Sequence, residues 1–485
     1  MFPPSDKERW LRWTWLLLGA ALTLLPVWLL LNGGRFNWAI QSGQMPILEL
    51  TVVLVSAGLA YLALPWLVQA SLREPLGSQR SLVWFVLAIG LFFRLLAFFS
   101  EPVLEDDYYR YMWEGGLLAN GYNPSAIAPV DALNAQPGSQ LSSLAEQSGP
   151  VVHRVSHKGL RSNYPPIAQL AFAVSYFIAP WNLLAWKLVS LMGDLAVMVL
   201  LTLLLRDAGR PVLWSTLYWW NPLIVKELAN SGHMDGIVVA FTLAALLMSA
   251  RGRHGIALVA LSLAIGTKLW PVLLTPLLLR PLRTKPGHAI LGLGFIVVTT
   301  VLWLLPGFLG GPGETSFYLA YAQRWSTNSA LFPFIERAVK WMLEPAGWQA
   351  WAWAASRGLL LFVLCGIAVW QSLRPLDDTR DLVTRACIVV GALVLLSPAQ
   401  FPWYMIWVLP LAAFCPMWSL LTVTATTPLY YLSFFFLAQG AYHVFINWVV
   451  WVIWLPVWGL ITLQISRSVS SGTPRPPRGT KVHLI

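Results

Sequence analysis

The residues with most to offer chemically are Glu105, Asp106 and Asp107, three consecutive carboxylates. They run straight into Tyr108-Tyr109-Arg110-Tyr111-Met112-Trp113-Glu114-Gly115 and then, past Ala119, into Gly121-Tyr122-Asn123-Pro124. An apolar run at 82–99 precedes them, so acids, a guanidinium and aromatic rings are gathered at the edge of a hydrophobic segment. Glu105 or Asp106 suits the cap of a helix that extends to about Ala119 and breaks at Gly121 and Pro124. A cap needs one such residue; two further acids, Arg110 and the aromatic run exceed it. A carboxylate within hydrogen-bond reach can take the proton of an attacking hydroxyl. Preorganised cations or backbone donors stabilise the charge that gathers on a departing phosphate. Flat rings offer apolar faces to a pyranose. Attack of a sugar hydroxyl on an anomeric carbon, with loss of a lipid phosphate, would use all three.

Other polar residues stand out against apolar surroundings. His233 and Asp235 precede an apolar run, where Asp235 also suits a helix N-terminus; in a turn the two side chains can converge. Lys268 lies between apolar runs with Pro271 following, as a snorkelling lysine does, and an intramembrane charge is otherwise a functional candidate, here for a lipid phosphate. Arg161 and Tyr164 precede a short apolar piece and are placed to approach the same phosphate, as is Arg324 with less support. Trp403 and Tyr404 form either an interfacial aromatic belt or a sugar platform. Glu105 and Asp107, spaced i,i+2, make a divalent cation a candidate cofactor, since hard cations take oxygen ligands.

These groups must be positioned by membrane spans. Apolar residues make up 57% of 485 and charged residues 11%, far below the roughly one quarter of soluble domains, and mean hydropathy is +0.63. The 28 tryptophans suit bilayer interfaces. The net charge of +11 comes from short basic clusters between apolar runs, not from one patch, so nucleic acid is not an expected partner. Cys365, Cys387 and Cys415 lie in apolar runs without metal-type spacing. Lys7, Arg9 and Arg12 precede about twenty apolar residues, a stretch too long for a signal-peptide core and read as a retained first span.

Runs long enough to cross, at roughly 20 residues each, lie at 13–31, 47–70, 82–99, 183–205, 232–250, 288–306, 354–374, 383–399, 418–437 and 446–466. Shorter pieces lie at 165–180, 212–226, 254–267, 268–280 and 401–415. If 165–180 enters from outside without crossing and every other piece crosses, all basic clusters face the cytoplasm. The expectation is fourteen crossings with both termini cytoplasmic. The outer face then carries the loops 100–163 and 307–353, the turn Asn230–Asp235, Lys268, Gln400–Tyr404 and Gln439–His443. Residues 1–466 form one all-α transmembrane domain, and 467–485 a basic, disordered cytoplasmic tail. No Gly-rich phosphate loop is present and the cytoplasmic loops are short, so an activated donor would itself be in the membrane.

The run Asp106-Asp107-x-x-Arg110-Tyr111-x-Trp113-Glu114-Gly115, with Gly121-x-Asn123-Pro124, resembles the first outer loop of GT-C glycosyltransferases. It is most similar to polyprenyl-phosphate-mannose-dependent mannosyltransferases related to family 87. Tyr164-Pro165-Pro166, Trp220-Asn221-Pro222, Gly232-His233-x-Asp235, Lys268 with Pro271, and Phe401-Pro402-Trp403-Tyr404 follow in the same order, over roughly 80–470. The resemblance implies a GT-C-like helix bundle in a bacterial inner membrane. It implies inverting transfer of a hexose, mannose by preference, from a polyprenyl-phosphate donor to a glycan or lipid acceptor on the extracytoplasmic face. An acid of the first loop would be the base; Asp106 and Asp107 are the candidates, with Asp107 favoured. Arg110, Arg161, Tyr164, His233, Asp235, Lys268, Trp403 and Tyr404 would bind substrate. The chain departs from the family pattern at Glu114, where Asp is usual, and at Ser125, where an aromatic residue is usual. A transporter or flippase of lipid-linked sugars would instead set its polar groups at mid-membrane, and a ligase moving a glycan to lipid or protein is so close in chemistry that sequence barely separates it.

Overall fold

The computed structural model describes residues 6–37, 39–74, 76–311 and 325–470. Among them every regular element is helical, and one isolated bridge pairs Thr327 with Ala399. An all-α polytopic membrane protein is the result. Arg324, most of the stretch 307–324 and the tail beyond Ser470 lie outside the described residues.

Among the described residues, eight helices are long and apolar enough to cross a membrane: Asp6–Phe36, Ile47–Ser71, Gln79–Phe99, Leu183–Asp207, Pro286–Leu309, Gln349–Leu373, Trp418–Ala438 and Tyr442–Arg467. A ninth candidate is the pair Pro222–Asn230 and Asp235–Ala250, which turn 116° on each other. This is fewer than the fourteen crossings expected, because apolar length overstates regular helix. The pieces 212–226 and 401–415 fold as short helical turns at Val212–Ser215, Thr216–Trp219, Pro402–Trp407 and Leu411–Ala413. Helix Thr379–Leu396 begins with Arg380, Asp381 and Arg385, too polar a start for a span. Helix Pro166–Ile178, expected not to cross and not counted among the fourteen, has thirteen residues, about 20 Å at 1.5 Å per residue, short of the ~30 Å hydrocarbon core. Apolar side chains cover much of the bundle's outside: on Pro286–Leu309, Leu291 and Phe308 are 73% and 72% exposed, as a lipid-facing helix requires.

Two buried polar contacts fix how the helices stack. Arg94 pairs with Asp194 at 2.6 Å, donates to the Trp219 carbonyl at 2.6 Å, and lies 3.6 Å from the centre of the Trp219 ring. Tyr218 donates to the same Asp194 at 2.6 Å. With its hydrogen bonds met on both sides, this pair joins Leu76–Phe99, Leu183–Asp207 and Thr216–Trp219. At one end of that junction Lys187 donates to the carbonyls of Ala97 and Ser100, closing the C-terminus of Leu76–Phe99. Arg251 pairs with Asp207 at the opposite end of Leu183–Asp207, roughly 30 Å away. The carboxylate loop begins at the Lys187 end.

That loop rests on the bundle through its glycines. Helix Asp107–Ala119 lies against Pro166–Ile178, and a Cβ at Gly115 would sit 2.4 Å from the Phe172 carbonyl oxygen. A Cβ at Gly116 would sit 2.1 Å from the Trp181 ring. Glycine at both positions is therefore a packing requirement. Asn221 caps the turn that Pro222 starts, accepting from the amides of Leu223 and Ile224 while donating to Thr424.

Candidate active site

Glu105 takes the cap that the sequence offered to Glu105 or Asp106. Its Oε1 accepts from the amides of Asp106 (3.0 Å) and Asp107 (2.8 Å), which starts the helix Asp107–Ala119. Its Oε2 lies 2.7 Å from His233 Nε2. The Asp106 and Asp107 side chains are left to the cavity beyond, apart from a 3.4 Å contact that the Tyr111 hydroxyl makes with Asp107.

His233 reaches Glu105 because the chain reverses at Ser231–Met234. A short π-helical turn, Val225–Asn230, ends there, and Gly232 takes φ +73°, a conformation that disfavours a side chain. Asn230 ties this turn to the loop, accepting from Val103 N and donating to Ser100 Oγ and the Glu101 carbonyl. Beneath His233, Glu227 lies 3.2 Å from Nε2 and 3.3 Å from Lys226, and Tyr431 closes the cluster against both. The His233 ring stacks on Trp403 at 4.4 Å. Lys226, Glu227 and His233 are fully buried, and their charges are paired as burial demands.

Asp235 opens the next helix, and its Oδ1 receives Lys268 Nζ (2.7 Å) and Trp407 Nε1 (2.5 Å). The Lys268 ammonium also sits over the rings of Tyr404 and Trp407, at 5.2 and 5.1 Å from their centres. Its side chain is 21% exposed, so the ammonium has donors left for a ligand. The segment around Thr327 arrives through the bridge: Thr327 N donates to the Pro398 carbonyl, Gln400 N donates to the Thr327 carbonyl, and Asn328 Nδ2 donates to the Gln400 carbonyl. Trp325, beside this bridge, packs edge-on to His157 at 5.0 Å.

Between these parts lies a cavity of about 880 Å³, lined among others by Asp106, Asp107, Lys268, Trp325, Trp403 and Tyr404. Tyr164, set edge-on to Tyr111, is also in the lining. Arg110 lines it too, but its guanidinium pairs with Glu114 and donates to the carbonyls of Ser156, His157 and Leu160, holding that stretch as a wall. Glu114 in turn accepts from Ser162, which with Ser125 receives Gln169. The two departures from the family pattern, Glu114 and Ser125, thus meet in one polar knot. His233 and Asp235 lie beneath the lining, behind Glu105 and Lys268. Arg161 is elsewhere: it donates to the carbonyls of Gly310 and Gly311 at the end of Pro286–Leu309.

Burial, with Glu105 adding repulsion, pushes the Asp107 carboxyl up to about 6, while His233, Arg110 and Lys268 act against the rise. Asp106 opens to the cavity, yet the surrounding protein withdraws it from bulk water. That desolvation, helped by the charges of Asp107 and Glu105, pushes it up to about 7. Glu114 rises to about 7 through burial, against the pull of Arg110. Burial and Arg110 lower His157. Among the described residues, Glu105, Glu114, Glu227 and Asp235 each have an ion-pair partner, whereas Asp106 and Asp107 have none. The site therefore holds two carboxylates with raised proton affinity facing a cation across a cavity, an arrangement suited to general-base chemistry on an anionic substrate. Glu105, Asp107 and His233 also offer ligand atoms within 4.8 Å of one another, a set able to hold a metal ion.

Sequence reasoning passed over Lys226, Glu227 and Tyr431. Two adjacent charges inside the piece 212–226 and its continuation were the available signal, since charges in an apolar run are functional candidates.

Comparison with known proteins gives a consistent picture. The family model described as alpha-(1->6)-mannopyranosyltransferase, N-terminal domain, matches residues 16–282, more than half of the chain and the part that includes Glu105 through Lys268. Alpha-(1->6)-mannopyranosyltransferase A of Mycobacterium tuberculosis is 26% identical over 340 residues, covering 65% of this chain and 62% of that protein. The chain therefore matches less than two thirds of that relative's length. Alpha-(1->6)-mannopyranosyltransferase B of Corynebacterium glutamicum is 22% identical over 449 residues, 81% of this chain and 70% of that one. No solved structure matches.

Proposed function

The chain belongs to the alpha-(1->6)-mannopyranosyltransferase family, and from that membership we propose that it transfers mannose from a polyprenyl-phosphate donor to a glycan or lipid acceptor at the extracytoplasmic face. The observation that carries the reading is the pair Asp106 and Asp107, without ion pairs, facing Lys268 across the cavity. The acceptor hydroxyl oxygen bonds to the anomeric carbon while its proton passes to Asp107. The anomeric carbon–oxygen bond breaks, and its electrons leave with the lipid phosphate, held by Lys268. Asp107 is the better placed base because Lys268 and His233 act on it, whereas Asp106, raised first by desolvation, has Arg110 as its one opposing cation. A single displacement inverts the anomeric centre. Trp403, Tyr404 and Tyr164 supply ring faces to the sugar.

The basic ends of the helices support the orientation: by the positive-inside tendency, Arg206 and Arg251 face the cytoplasm and the cavity faces out. Purified protein should turn over with polyprenyl-phosphate mannose and show no turnover with GDP-mannose alone. Robust transfer from the nucleotide sugar without lipid carrier would overturn this reading.

A further inference from the structure

We propose that a cleft at the end of the bundle remote from the carboxylates seats one phospholipid of the cytoplasmic leaflet, of the zwitterionic phosphatidylethanolamine class. The cleft has a volume of about 590 Å³ and lies between Asp6–Phe36, the close of Ile47–Ser71 and the start of Gln79–Phe99. It is far from the transfer site. A Cβ at Gly33 would lie 2.9 Å from the Glu101 carbonyl oxygen, so the far end of the first helix meets the carboxylate loop. Glu8, which lines the cleft, lies roughly 37 Å before Gly33 along a helix axis at about 1.5 Å per residue. Lys7, Arg9, Arg12, Arg73 and Arg80 gather at the cleft's end, which the positive-inside tendency sets on the cytoplasmic face. Trp10, Trp13 and Trp84 are exposed there, as rings at the level of lipid headgroups are.

The cleft joins an apolar floor to a charged rim. Trp15 and Phe85 form the floor, each set edge-on to the buried Trp220, at 5.4 and 5.8 Å. Trp15 gives its N–H to Ser71 Oγ at 2.9 Å, so it offers the cleft ring carbon alone. Water against this floor finds no partners, whereas an acyl chain removes it from water. Leu16 is exposed at the lip, so the apolar part opens sideways to the acyl layer. At the rim stand two ion pairs, Lys7–Glu74 at 3.0 Å and Arg12–Glu8 at 2.6 Å. Both are turned the same way. The Lys7 and Arg12 side chains are 61% and 63% exposed, those of Glu74 and Glu8 only 15% and 22%. The carboxylates face inward and the cations outward. An ethanolamine headgroup matches this order: its ammonium brings N–H donors to the acids, and its phosphate meets Lys7 and Arg12. Its net charge is zero, as is that of the two pairs. A glycerol headgroup would bring the inward carboxylates a phosphate without an ammonium, and so repulsion. A choline headgroup would bring the charge without an N–H.

The test is native mass spectrometry of the detergent-purified, delipidated full chain. Palmitoyl-oleoyl phosphatidylethanolamine, phosphatidylglycerol and phosphatidylcholine are offered separately. One ethanolamine lipid should bind about tenfold or more tightly than either of the others, the worth of a hydrogen bond to a charged group. Glu74→Gln should weaken that binding by about tenfold. Its ion-pair partner Lys7 is exposed, so folding should hardly change. Ser81→Trp fills the lip of the cleft and should abolish binding of the ethanolamine lipid, with the melting temperature of the lipid-free protein unchanged. Equal affinity for the three lipids, preference for phosphatidylglycerol, or ethanolamine-lipid binding that survives Glu74→Gln or Ser81→Trp unweakened would overturn the proposal. So would a wild-type dimer that Ser81→Trp splits, which would assign the cleft to a second copy of this chain. The comparison of lipids on the wild-type protein decides even where a variant fails to fold.

Discussion

Replacing Asp107 by Asn tests the reaction most directly. The exchange preserves size, and Asn is acceptable at a helix start where Glu105 supplies the capping oxygen, so folding should be almost unaffected. What disappears is the group that takes the proton, worth about 10²–10⁴ in rate, or roughly 3–5 kcal/mol of barrier at 1.36 kcal/mol per decade. The pH profile carries a second signature. A base whose carboxyl titrates at about 6 must be ionised to act, so wild-type kcat/KM should fall as pH drops through 6 and be level above it. In the variant, Asp106 loses the repulsion of its neighbour, so its own titration should fall from about 7. The assay is transfer of labelled mannose from polyprenyl-phosphate mannose by detergent-purified protein between about pH 5 and 8. Retention of more than about a tenth of wild-type turnover, or a wild-type acid limb near the ordinary carboxylate range of about 4, would refute the assignment.

Lys268→Met should raise the donor KM by about tenfold, since the ammonium binds the phosphate before and during the reaction; an unchanged KM would exclude that role. His233→Ala leaves Glu105 and Glu227 facing each other, and removing one partner of a buried pair costs about 3–5 kcal/mol. Its melting temperature, followed by size-exclusion chromatography after heating, should fall, and adding Glu105→Gln should recover part of the loss. Gly115→Ala drives a Cβ into the Phe172 carbonyl and should cost about 1–3 kcal/mol in the same assay, whereas Gly255→Ala, with open space around it, should not. In a background lacking Cys365, Cys387 and Cys415, cysteines at Ser139 and Ser326 should react with an impermeant reagent from outside and one at Ser471 should not.

Much of this site was legible along the chain, because charged residues are conspicuous against 57% apolar sequence. Glu105–Asp107, His233, Asp235, Lys268 and Trp403-Tyr404 were each visible as such a contrast, and the fold gathers them at one cavity. Their pairing was not legible. Lys268 and Asp235 are 33 positions apart and Glu227 and Tyr431 are 204 apart, distances over which no periodicity speaks. Arg110 and Arg161 look alike in sequence, yet Arg110 braces the cavity wall and Arg161 closes a distant helix end. The span count erred for a related reason. Hydropathy records that 212–226 and 401–415 are apolar, but not that Pro211, Asn221, Pro222, Pro402 and Pro410 break them into short turns.

The buried cluster around Glu227 also constrains the order in which the chain is made. Lys226 and Glu227 can neutralise each other as they leave the ribosome, but His233 and Tyr431 complete the cluster only from other segments. Tyr431 is 205 residues downstream of Lys226, and at about 5–20 residues per second it is synthesised roughly 10–40 s later. For that interval the segment 222–230 is a poor guest for lipid, because its buried ion pair lacks the Tyr431 hydroxyl that bonds to both members. It must wait at the water boundary or in the care of the insertion machinery until the last third of the chain arrives. Fragments ending before Tyr431 should accordingly be cleared by membrane proteases, even though they contain every residue assigned here to the first outer loop.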